Sequence, residues 1–135
     1  MNHQRNRRRI QIRSEQGQSL TEFALALPIL ALLLFAVIQF GVVFNNYVTL
    51  VDATRAGARK GAVGREQQNP AGAVATEVRA SAKDLNQSAL NVTVSSTWQP
   101  SSDVTVTATY PYSISLLGMV VKSGRLSSTT TERVE

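Results

Sequence analysis

The sequence predicts an α+β chain: a long N-terminal transmembrane helix that continues into an amphipathic helix, then a second helix packed on a small antiparallel sheet of about three strands. Three observations predict it. Residues 23 to 44, FALALPILALLLFAVIQFGVVF, run for 22 residues without a charge. A later stretch repeats its apolar residues at helical spacing, and from Asn91 onward the repeat shortens to two.

The uncharged run comes first. At about 1.5 Å per residue it spans roughly 33 Å, enough to cross a hydrocarbon core of about 30 Å. A chain of 135 residues is too short to wrap a helix that is apolar on every side, so a buried soluble-core helix is the poorer reading. The run is also longer than the apolar core of a cleaved signal peptide, and FGVVF at Phe40 to Phe44 offers no small-residue cleavage site, which favours a retained anchor. Residues 1–17 carry five arginines against Glu15, a net of +4, whereas the rest holds nine cations against eight carboxylates. Basicity concentrated before a spanning helix orients the chain with a cytoplasmic N-terminus and an extracytoplasmic C-terminal domain, and no nucleic-acid partner is expected.

Past Phe44 the pattern becomes amphipathic. Ala53, Gly57 and Gly61 recur every fourth position on one helical face and allow another backbone to approach closely, either within this chain or from a partner helix. Residues 64–72, GREQQNPAG, read as a linker in which Asn69 caps a helix opened by Pro70. Val74, Val78 and Leu85, with Ala75 and Ala82 beside them, form the apolar stripe of that second helix. Val92 and Val94, then Val104, Val106, Ala108 and Tyr110, alternate with polar residues in two strands joined by a turn at residues 99–102. The second strand is expected to end at Pro111, the conformation of residues 113–121 stays open, and a turn at Lys122-Ser123-Gly124 leads to a third strand over residues 126–134. The organisation expected is thus a basic leader (1–17), a transmembrane helix (18–44), an amphipathic extension (45–66) and a small extracytoplasmic α+β domain (67–135).

Chemistry is sparsely represented. There is no cysteine, and the single histidine, His3, lies in the leader. The remaining carboxylates form no spaced metal-ligand or acid/base cluster, and no glycine-rich phosphate loop follows a strand. An enzyme is not expected, nor a cofactor, a metal or a small-molecule substrate.

One short segment stands out against this background. Gly17-Gln18-Ser19-Leu20-Thr21-Glu22-Phe23 places a glycine and then a glutamate between the arginine leader and the apolar run, and resembles the cleavage region of type IV pilin-like proteins. A glycine leaves the backbone free to extend into a protease cleft, and Glu22 in the first turns of the mature helix is favoured by about 0.3–1 kcal/mol through the macrodipole. Glu22 near the membrane boundary also avoids the larger cost of a mid-bilayer charge. Taken alone, Glu22 reads equally as an ordinary helix-start carboxylate. The resemblance implies that a prepilin peptidase cuts between Gly17 and Gln18, and that Glu22 pairs with the new amine of Gln18 on a neighbouring subunit.

Residues 19–30 (SLTEFALALPIL), the segment Ala53-Thr54-Arg55-Ala56-Gly57-Ala58-Arg59, and Arg133-Val134-Glu135 after a Ser/Thr-rich stretch together look like TadE-like proteins of tight-adherence (Flp, type IVb) pilus systems. Major Flp pilins are much shorter and commonly carry tyrosine after the glutamate, where this chain has Phe23, so the resemblance implies a minor pilin or pseudopilin. Its implied partners are the prepilin peptidase, other pilin-like subunits and inner-membrane assembly proteins, and its implied location is the bacterial inner membrane or the pilus. A bitopic scaffold subunit that keeps its leader needs the same anchor and domain. Pro28 removes one backbone donor inside the helix, which predicts a kink there, and Gln39 suits either an interhelical hydrogen bond or the membrane interface.

Overall fold

The computed structural model describes residues 5–135, with side chains described from Gly17 onward; the leader's arginine side chains and His3 lie outside the described residues. Five elements follow in order: α1 (Arg5–Val63), α2 (Pro70–Ser81), β1 (Asn91–Ser96), β2 (Asp103–Leu116) and β3 (Met119–Arg133). The chain divides into a unit ending at Ile38 and a unit of residues 39–135.

In the first unit the described side chains, from Gly17 to Val37, are all exposed. Aliphatic and aromatic side chains point outward all round the helix, Leu25, Leu33 and Phe35 among them. Such a surface is unfavourable in water and suits hydrocarbon.

The second unit is built on the last turns of α1. Leu50, Ala53, Thr54, Ala58 and the two glycines at 57 and 61 are buried, while Asp52, Arg55 and Arg59 on other faces are exposed. The helix stops at Val63 because the chain turns sharply at Gly64, where a Cβ would stand 2.7 Å from the carbonyl oxygen of Lys60. Asn69 then caps α2 as expected: its Oδ1 accepts from the Gly72 backbone N–H at 2.9 Å, with Pro70 at the first helical position. Val74 and Val78 on α2, followed by Ala82 and Leu85 beyond its end, enter the core.

The sheet is a three-stranded antiparallel meander of order β1-β2-β3. Alternation governs its faces: Val104, Val106 and Ala108 are buried against the helices, and Val92, Val94, Trp98, Tyr110 and Leu126 flank them. On the opposite face hydroxyls pair across strands, Thr105 with Thr131 and Thr107 with Thr129, each at 3.0 Å. The chain's end is tied down by Val134 N–H donating to Ser102 O at 2.8 Å and Glu135 N–H to Ala62 O at 2.9 Å.

Two expectations are corrected. Pro111 does not end β2, which continues to Leu116. β1 ends opposite Thr109, so beyond that point β2 has a partner on one side only, and a proline there can direct its missing donor to the open edge. Lys122-Ser123-Gly124 is not a turn but part of β3, where Gly124 faces Tyr112 across the ladder. A Cβ on Gly124 would lie 2.9 Å from the Tyr112 ring, so the glycine makes room for the aromatic side chain. The reversal falls instead at Leu117-Gly118, a two-residue loop with φ of 51° and 81°, the positive values that tight hairpins require. Residues 113–121, left open by the sequence, are thus the distal part of a long hairpin.

Candidate functional site

The residues singled out by the sequence fall into two groups in different units. Gly17, Gln18, Glu22, Phe23 and Pro28 belong to the first. Ala53, Gly57 and Gly61 belong to the second.

In the first group the helix is continuous. The Gly17 carbonyl accepts the Thr21 hydroxyl at 2.9 Å, and the Gln18 side-chain amide donates to Glu22 Oε1 at 3.0 Å. Both contacts join residues four apart, which helical geometry brings together. A carboxylate has about four lone-pair directions, so one amide contact leaves Glu22 able to accept further donors. Among the described residues nothing lies within 4 Å of where a Gly17 side chain would begin, so none of them demands a glycine there. Phe23 is exposed and continues directly into the apolar surface. The helix runs on through Pro28, whose nitrogen cannot donate to the carbonyl four residues earlier.

The second group packs inside its own chain. Ala53 is fully buried. A Cβ on Gly57 would collide with Val78 of α2, and one on Gly61 would come within 2.9 Å of Val104 and 3.1 Å of Val74. The four-residue spacing therefore lets α1 approach both α2 and β2. Between these residues the sequence carried a feature whose role only the fold reveals. The Thr54 hydroxyl is buried, contacts Ser128 Oγ at 2.9 Å and Thr130 Oγ1 at 3.1 Å, and donates to Val51 O at 2.9 Å. It joins α1 to β3 across more than seventy residues. A threonine on an otherwise small, apolar helix face was the available signal, but its partners sit in a Ser/Thr-rich strand where no single residue stands out.

These features define a class: a protein with, among the described residues, one helix long and apolar enough to cross a membrane, followed by a small α+β unit. Within that class residues 17–59 match the family model for TadE-like protein, over 43 of the 135 residues, and in that segment the chain is similar to TadE-like proteins. The match takes in Gly17, Glu22, the whole apolar run, and Ala53 to Arg59. No curated protein and no solved structure matches the chain.

Proposed function

We propose that the chain is a membrane-anchored minor pilin or pseudopilin that takes part in assembly of a tight-adherence pilus after a prepilin peptidase removes residues 1–17. The observation that carries this reading is the TadE-like match beginning at Gly17, on a helix whose apolar side chains are exposed from Leu20 to Ile38. Gly17 supports it further. A glycine inside a helix costs about 0.5–1 kcal/mol relative to alanine, and no packing neighbour among the described residues accounts for this one. A role in an extended, protease-bound backbone does account for it. Cleavage requires opening the helix around Gly17, which lies inside α1 and whose carbonyl accepts the Thr21 hydroxyl.

After cleavage the α-amine of Gln18 becomes a cation, and Glu22 of an adjacent subunit is its natural acceptor in a low-dielectric bundle, where an unpaired carboxylate is expensive. The arginine leader supports a cut on the cytoplasmic face, with residues 67–135 across the inner membrane.

The unbroken helix through Gly17-Gln18 favours a second reading, a bitopic scaffold that retains its leader. The mature N-terminus separates the two. Mass spectrometry of the chain purified from its native host is expected to find Gln18 first; an intact leader supports the scaffold and refutes processing. Immunodetection of the chain in sheared filaments then tests incorporation.

A further inference from the structure

We infer that the tip of the β2–β3 hairpin is a second membrane contact, a shallow aliphatic wedge that seats the 39–135 unit on the lipid surface. The inference rests on the membrane-anchor reading but not on any role in a pilus.

Four neighbouring side chains at the tip are exposed: Leu117 by 78%, Met119 by 70%, Val120 by 64% and Val121 by 63%. Together they form a cluster of large apolar groups that no part of the unit covers, which marks an interaction surface. The hairpin's charge selects the partner. From Val104 to Thr131 there is no acidic residue, and the only charges are Lys122 and Arg125, both exposed and close behind the tip. Aliphatic residues backed by cations suit acyl chains beneath anionic headgroups. Tyr112 lies in the adjoining part of β2, the residue type enriched at membrane interfaces.

The fold also aims the tip. Gly61 packs against Val104 and Gly57 against Val106, and Thr54 contacts Ser128, which pairs with Ala108; as β2 advances, α1 is read backwards. From Ala108 to Leu116 the strand advances about 26 Å at ~3.3 Å per residue. From Thr54 back to Phe40 the helix covers about 21 Å at ~1.5 Å per residue. The hairpin is therefore long enough to reach the level of Phe40 and Phe44, exposed aromatic residues of the same unit that end the apolar run and stack with centroids 6.1 Å apart. The tip's depth is limited by its backbone. β2 and β3 pair with each other up to Leu116 and Met119, but beyond Thr109 β2 has no second partner, and unpaired edge groups do not enter hydrocarbon.

The chain has no cysteine, so a single one is labelled uniquely. The full chain carrying Val120→Cys, and separately Gln99→Cys at the opposite end of the sheet, is spin-labelled and reconstituted in vesicles of phosphatidylcholine and phosphatidylglycerol. Collision with oxygen and with a water-soluble nickel chelate is then measured. The label at 120 is expected to favour oxygen over nickel and the label at 99 the reverse, with Lys122→Glu/Arg125→Glu shifting the 120 label toward water. A 120 label as accessible to nickel as the 99 label, in chains that float with the vesicles, overturns the inference alone. Shielding from both reagents that disappears on dilution into excess lipid assigns the tip to a second copy of the chain and also overturns it. Failure of the unlabelled chain to float overturns the anchor reading with it.

Discussion

Replacing Gly57 with alanine is expected to destabilise the 39–135 unit even though alanine is the better helix former. In a solvent-facing helix the exchange gains about 1 kcal/mol. Here the added methyl overlaps Val78 Cγ2 and lies 3.5 Å from Val74 Cγ1 and 3.6 Å from Val106 Cγ1, so it is enclosed by α2 on one side and β2 on the other. Overpacking of this kind typically costs about 1–3 kcal/mol. The net loss is therefore about 0–2 kcal/mol, and in a unit of under a hundred residues each kcal/mol lowers Tm by about 4–8 °C. Trp98 is the only tryptophan and packs against this core, so its fluorescence during heating in detergent micelles reports the unit without interference from the apolar helix. Val78→Ala combined with Gly57→Ala is expected to cost less than the sum of the two single changes, because removing Cγ2 relieves the overlap. A Tm for Gly57→Ala above that of the parent chain, or strict additivity with Val78→Ala, refutes the close approach of α1 and α2.

Three further outcomes follow from other contacts. Thr54→Val keeps the shape but strands the hydroxyls of Ser128 and Thr130, so a loss of about 1–3 kcal/mol is expected by denaturant unfolding; Ser128→Ala added to it should recover part of that loss. Asn69→Ala removes the acceptor for the Gly72 N–H and should cost about 1 kcal/mol, with Asn69→Asp retaining most of the stability. Glu22→Gln should leave the mature N-terminus at Gln18 unchanged by mass spectrometry while lowering recovery in sheared filaments about tenfold, as expected for loss of a charge-assisted contact of about 1.5–3 kcal/mol; unchanged recovery argues against subunit pairing through Glu22.

Much of this architecture is written in local sequence. An uncharged run longer than a bilayer's core needs no partner to be recognised, because its composition already excludes water as its surroundings. The Asn69-Pro70 start of α2 and the alternation of Val104, Val106 and Ala108 are equally local: a cap and a pleat each act over a few residues. The segment from Gly17 to Phe23 was legible for the same reason, as a short order of residue types. Tertiary structure alone decided the rest. Whether Pro111 stops a strand depends on whether a neighbour needs its missing donor, and β1 has already ended there. Whether Gly124 turns the chain or makes room for Tyr112 depends on a register set by pairing across the hairpin. The buried hydroxyls of Thr54 and Ser128 are 74 positions apart, and neither residue type announces burial. Composition and spacing encode what a residue does to its own backbone and to its solvent; which distant group it meets is settled only when the sheet closes over α1.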